Sequence, residues 1–422
     1  MNIQQCDIAI LGAGPAGLAA ALAAARCGRR VIVIDDNPHP GGQIWRDGPG
    51  VALPPLAQRY RHAVAADGNI TLLNGAKLIA RPDAKSLLLE TATEGVIVRW
   101  DKLILCCGAR ELSLPFPGWT LPGVTGAGGL QAQIKQGLRL DDQRVVIAGS
   151  GPLLLAVAAS VRKAGGEIVQ IAEQTPLTAL ARFAAGLWRW PSKVRQLAGL
   201  IPQNYHTGTQ VIAAAGEKTL TGVTLRSHGK RVSLPCDRLA IGYGLIANIE
   251  PAMLFKCDIQ REAISVNAWQ QTSVDDIYAA GECTGFGGSE LAIVEGRIAG
   301  YAAAGDGQRA RKFFPRRKRW QRFSRALNNA FTLSDELKSA ATEDALLCRC
   351  EDVRCGDIAG SDSWRQAKMH RRCGMGACQG RTCAASARWL YGWPLPQPRE
   401  PLSPARAETL IALQAYRPEK TV

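Results

Sequence analysis

The chain has 422 residues, too many for one ordinary core, so two or three domains are expected. With 46% hydrophobic and 21% charged residues and 44 glycines, it excludes a disordered or fibrous protein and matches a soluble α/β one. A formal charge of +15 invites a nucleic-acid reading, but no nucleic-acid module appears.

The apolar start from Ile8 to Ala25 is broken by Gly12, Gly14, Pro15 and Gly17 and has no basic leader. No other run is apolar enough to span a membrane, so a cytoplasmic location is expected. In that reducing setting the 13 cysteines are expected as ligands or buried small side chains rather than as disulfides.

Cys6 to Leu11 reads as a buried strand, followed by Gly12-Ala13-Gly14-Pro15-Ala16-Gly17. An alanine-rich helix from Leu18 to Cys27 comes next, then a strand Val31 to Ile34 that ends on Asp35. Gly12 permits the tight turn, Gly14 lets the backbone approach a pyrophosphate, and Gly17 lets the helix pack on the strand. The helix N-terminus attracts phosphate, and Asp35 stands where a carboxylate accepts ribose hydroxyls. A glycine turn without a ligand is the weaker alternative.

Three later segments resemble the FAD-contact segments of flavoproteins with two dinucleotide domains. They are Gly41-Gly42-Gln43, the strand Leu103 to Cys107 ending in Gly108-Ala109-Arg110, and the strand from Asp276 ending on Gly281-Glu282. Glu282 replaces the usual Asp. Gly287-Gly288-Ser289-Glu290 opens a helix whose N-terminus would face the flavin.

A second strand–loop–helix unit runs from Arg144 through Gly149-Ser150-Gly151-Pro152-Leu153-Leu154 to Glu173. Leu154 stands where the third glycine is usual, so the loop holds a nicotinamide nucleotide, another nucleotide or nothing. Between Arg309 and Arg325 there are nine Lys or Arg and no acid. This is either a solvated helix face or a surface for an acidic partner or anionic lipid.

Cys348-Arg349-Cys350 and Cys378 to Cys383 supply two thiolate pairs around a short helical stretch. That pattern suits a [2Fe–2S] cluster, with zinc as the rival. Cys373 lies near enough to swap in as a ligand, though a nonligand role is preferred. No CxxC stands beside the flavin segments, and His39, His62, His206, His228 and His370 are scattered away from any nucleophile.

The expected fold is α/β. Two nested Rossmann-like dinucleotide-binding domains, as in glutathione-reductase-like flavoproteins, precede a small helical [2Fe–2S] domain. The FAD domain covers 1–110 and 236–307, and the second domain 111–235. A basic linker covers 308–342, the cysteine unit 343–395 and a tail 396–422.

Over nearly its whole length the sequence resembles the FAD-containing α subunits of bacterial heteromeric amine dehydrogenases. These are the hydrogen cyanide synthase, opine oxidase and D-hydroxyproline dehydrogenase type. The resemblance rests on GAGPAG, GGQIWR at 41–46, PFPGWTLPGVTGAGGLQAQIK at 115–135, GSGPLLLA at 149–156, GYGLIAN at 242–248, AWQQTS at 268–273, and CRCEDV with GMGACQGRTC at 348–383. GSGPLLLA is itself family-like. The terminal unit resembles bacterioferritin-associated ferredoxin, which implies cluster ligands at Cys348, Cys350, Cys378 and Cys383.

The resemblance implies a flavoprotein β subunit of the amino-acid oxidase type that oxidises the amine. Electrons would then pass through the FAD and cluster of this chain to oxygen or a quinone chain. The substrate is open among D-hydroxyproline, another D-amino acid, an opine and glycine. An interface FMN and a small iron–sulfur subunit occur in relatives, and neither is readable here. A peripheral place at the inner membrane face is a further expectation from Arg316 to Trp320. The rival readings are a free-standing NAD(P)H-dependent reductase and a non-enzymatic redox scaffold.

Overall fold

The structure is a computed structural model describing residues 2–49, 51–198 and 204–416. Its first sheet runs in the order Ile70–Asn74, Val31–Asp35, Asn2–Leu11, Gly95–Leu105, Ser86–Glu90, Lys77–Ala80. The first four strands are parallel, and the last two form an antiparallel extension. The far end of Gly95–Leu105 pairs in parallel with Ile277–Ala279. Thus the late segment ending on Glu282 returns to the sheet of the first domain, beside Gly95–Leu105.

Two helices cover one face, Pro15–Ala25 and Gly288–Ala303. They pack backbone against backbone. A Cβ on Gly296 would fall 2.1 Å from the Ala16 carbonyl oxygen, and one on Gly300 would fall 2.3 Å from that of Ala20. This close approach explains the run of alanines, since larger side chains would hold the helices apart.

The second sheet is wholly parallel, in the order Tyr205–His206, Glu167–Glu173, Arg144–Gly149, Arg238–Gly242, Val124–Gly126. Arg238–Gly242 lies beyond the boundary expected at 235 yet sits inside this sheet. The chain crosses back only afterwards, where Leu245–Ala247 pairs antiparallel with the outgoing Ala109–Glu111.

The segment expected as a linker is helical and packed. Helix Phe314–Ala330 buries Trp320 and Phe323 against Leu187, Trp190, Ile298 and Tyr301. The cysteine unit has a core of its own, including Leu347, Ile358, Trp364, Ala384 and Trp393. The tail is also docked. Leu402 N–H donates to the Ile79 carbonyl at 2.7 Å, and the Tyr416 hydroxyl donates to Asp83 at 2.7 Å. Residues 417–422 lie outside the described residues.

Candidate flavin and cysteine sites

The first glycine loop is fixed by sterics and one carboxylate. Gly12 has φ +109°, and a Cβ there would meet the Cys106 carbonyl oxygen at 2.2 Å. On Gly17 a Cβ would meet the Gly12 carbonyl oxygen at 1.8 Å. Asp35 is buried, and it accepts the Ala13 N–H at 2.5 Å and the backbone and side-chain N–H groups of Asn37 at 2.8 Å. It therefore braces the loop from below, and a ribose would share lone pairs already in use.

Gly14 differs from its neighbours. A Cβ there would meet nothing within 4 Å, while one on Gly42 would stand 3.1 Å from the Gly14 Cα. Two glycine backbones thus line an open cradle at the start of a helix that carries no side-chain cap. The leading N–H groups and the positive end of Pro15–Ala25 are offered there, which is the chemistry a pyrophosphate needs. These residues fit FAD. Ala16 is buried at the helix start, and Gln43 is exposed with its carbonyl accepting from Lys135 at 3.4 Å.

Glu282 is half-buried, and its carboxylate accepts the Gly288 N–H at 2.9 Å. Burial pushes its pKa up. Gly281, at φ +85°, donates its N–H to Glu295 at 3.1 Å. Sequence reasoning missed Glu295. It is 5% exposed, also accepts from the Thr284 hydroxyl at 3.3 Å, and has a pKa pushed up to about 7 by burial. The available signal was an acid on the inner side of the apolar helix that follows Gly287-Gly288.

Gly108 is open, since a Cβ would meet nothing within 4 Å, and Ala109 pairs with Ala247. Arg110 is committed elsewhere. Its guanidinium pairs with Glu250 at 2.7 Å, bonds Asn248 at 2.6 Å, and donates to the Arg381 carbonyl at 2.9 Å. Arg381 lies in the cysteine loop, so a residue expected beside FAD joins the flavin domain to the cysteine unit.

The second glycine loop is filled by the chain itself. Glu173 is fully buried and accepts from Gly151 N–H at 2.8 Å, Thr175 N–H at 2.9 Å and the Tyr205 hydroxyl at 3.1 Å. Ser150 donates to the Phe331 carbonyl at 3.3 Å, and Gln174 bonds the Thr332 carbonyl and the Ser334 N–H. A Cβ on Gly151 would meet the Phe331 ring at 3.8 Å. Leu154, at the third motif position, is fully buried, and Gly242 opposite makes room for it.

Cys348, Cys350, Cys378 and Cys383 line one cavity of about 290 Å³, together with Glu111, Phe116 and Trp119 among others. The Cys350 and Cys378 sulfurs are 3.9 Å apart. Those of Cys348, Cys373 and Cys383 lie within 4.8 Å of one another. Cys373 is fully buried and does not line the cavity. The Gly374 N–H donates to the Cys348 sulfur at 3.3 Å, which favours a thiolate there. The all-sulfur donor set is that of a [2Fe–2S] cluster, and a four-cysteine zinc site uses the same donors. The unit is held to the second domain by Trp119 Nε1, which donates to the Leu346 carbonyl at 2.6 Å.

A mixed sheet and a parallel sheet in two domains, joined by the paired outgoing and returning strands, with a glycine cradle at the first strand, define a flavoprotein oxidoreductase fold. The pyridine nucleotide-disulphide oxidoreductase family matches residues 6–306, and the chain belongs to that family. Hydrogen cyanide synthase subunit HcnB of Pseudomonas aeruginosa is 33% identical over 94% of this chain and 96% of its own length. An opine oxidase subunit of Rhizobium meliloti is 30% identical over 90% of this chain and 80% of its own length. The fold is shared with L-proline dehydrogenase from P. horikoshii, at TM-score 0.67 and 18% identity over 97% of this chain and 80% of that one. FAD is the cofactor this family supports.

Proposed function

We propose that this chain is the electron-transfer subunit of a heteromeric FAD-dependent amine or amino-acid dehydrogenase. A partner flavoprotein subunit of the amino-acid oxidase type oxidises a CH–NH or CH–NH2 donor. The donor is D-hydroxyproline, another D-amino acid, an opine or glycine. The relatives named as subunits of hydrogen cyanide synthase and opine oxidase support this reading. The observation that carries it is the four-cysteine cavity tied through Arg110 to the end of a flavin-domain strand.

Bound in these two places, FAD accepts electrons in pairs and a [2Fe–2S] cluster passes them on singly. Gly14, Gly42 and the N-terminus of Pro15–Ala25 hold the pyrophosphate. Gly281, Glu282 and the start of Gly288–Ala303 stand where the dipole end of that helix favours negative charge on the flavin. Cys348, Cys350, Cys378 and Cys383 hold the cluster, and Arg110 fixes their loop against the flavin domain. A quinone chain or oxygen is the final acceptor.

The free-standing NAD(P)H reductase is the second reading. It requires the second loop to open, and Phe331 and Thr332 now occupy its approach. Purifying the full chain and measuring flavin and iron tests the relay reading. One flavin and about two irons per chain are expected. Zinc, or no metal, would remove the relay.

A further inference from the structure

We infer that this chain docks on an anionic lipid surface through a face built from two segments far apart in sequence. Residues 174–198 hold four Lys or Arg, residues 307–334 hold nine, and neither stretch contains an Asp or Glu. Nearly all of the chain's surplus of +15 therefore resides in these two stretches.

The fold brings them together. Phe323 packs edge-on against Trp190 at 5.4 Å and tilted against Phe183 at 6.3 Å. Arg319 donates to the Arg189 carbonyl at 3.4 Å. The inner sides rest on Leu291, Val294 and Ile298 of the helix Gly288–Ala303. Among the described residues, the acids in direct ion pairs here come from outside the stretches, Glu290 to Lys193 and Asp306 to Arg309. Arg182, Arg195, Arg316, Lys318, Arg322 and Arg325 are exposed.

Large apolar side chains are exposed among these charges. Trp188 is 70% exposed, with the Arg189 guanidinium 5.0 Å from its ring, and Leu177 is 67% exposed. A basic surface alone suits any acidic partner. An exposed Trp and Leu set among arginines is the composition of a face that lies in a lipid headgroup layer. Each basic side chain near an anionic bilayer adds about 1 kcal/mol, or roughly fivefold in binding. Among the described residues no helix is long and apolar enough to cross a membrane, so the contact proposed is peripheral.

The test is sedimentation of the full chain with vesicles of equal parts phosphatidylglycerol and phosphatidylcholine, against phosphatidylcholine alone. Binding to the anionic vesicles only is expected, weakening as salt is raised. The double variant Lys318→Gln/Arg322→Gln is expected to bind about 25-fold more weakly. Trp188→Ser is expected to lose roughly tenfold. Unchanged flavin content and circular dichroism would show that both variants fold. Equal binding to neutral vesicles, no binding, or variants that bind as well as the parent would overturn the inference. So would salt-sensitive capture of an acidic partner protein, lost in these variants, without vesicle binding. None of these outcomes depends on the relay reading, because no redox reaction is measured.

Discussion

Arg110 Nε donates to the carbonyl of Arg381 at 2.9 Å, while the rest of its guanidinium is held by Glu250 and Asn248. One side chain thus ties the flavin-domain strand directly to the loop that carries Cys378 and Cys383, alongside the Trp119 bond to Leu346. Arg110→Ala removes a charge-assisted bond to that loop and leaves Glu250 unpaired, costing about 2 kcal/mol. Amide hydrogen exchange across 373–383 is expected to quicken. Arg110→Lys keeps the charge but loses the planar fork, so it restores only part of the protection.

The four cavity cysteines and Cys373 have different fates. Replacing Cys348, Cys350, Cys378 or Cys383 by Ser is expected to lower iron content and visible absorbance sharply. Cys373→Ala is expected to keep both, since Cys373 lies outside the cavity. Iron loss in Cys373→Ala with retention in Cys350→Ser would reverse the ligand assignment.

Two glycines separate folding from cofactor binding. At Gly14 a Cβ meets nothing within 4 Å, and φ is −72°, so Gly14→Ala leaves the fold intact and weakens flavin retention. At Gly17 a Cβ would meet backbone at 1.8 Å, so Gly17→Ala lowers thermal stability even in the apoprotein. Melting curves with and without added FAD check both.

Much of this was legible in the sequence, for physical reasons. A tight turn, a backbone approach and a helix packed on a strand each require glycine, so Gly12, Gly14 and Gly17 announced themselves. Paired thiols close in sequence did the same for the cysteine unit. The pairing of Arg238–Gly242 was not legible, because a short apolar strand fits either parallel sheet. Phe331 was hidden because its contact with Gly151 joins segments far apart in the chain. The basic stretch read as a linker because its charges outnumber Trp320 and Phe323, which anchor it.

NADH and NADPH are expected to leave the flavin oxidised in a stopped-flow cell. Glu173 is fully engaged, and Phe331 lies against Gly151. Phe331→Gly opens that approach, and slow reduction confined to this variant would identify the ring as the barrier. Rapid bleaching of the parent protein would restore the reductase reading.

Glu295 makes stability depend on pH. Its carboxyl is raised from an ordinary 4.5 to about 7 by burial, opposed by hydrogen bonds from Gly281 and Thr284 and by Arg317, with Glu282 adding to the rise. The unfolded chain therefore ionises first as pH rises past 4.5, and stability falls until about 7, then stays lower. Glu295→Gln keeps the acceptor for Gly281 and removes this loss. Its unfolding free energy is expected to exceed that of the parent above about pH 7, by up to about 3 kcal/mol, and to match it near pH 4. A constant difference across that range would contradict the buried carboxyl.

Anaerobic mixing of the full chain with an amino-acid donor, with and without its partner subunit, tests the relay most directly. Flavin bleaching and a reduced-cluster signal are expected only when the partner is present. Sustained oxidation of the amino acid by the isolated chain would contradict the relay and place substrate chemistry in this subunit.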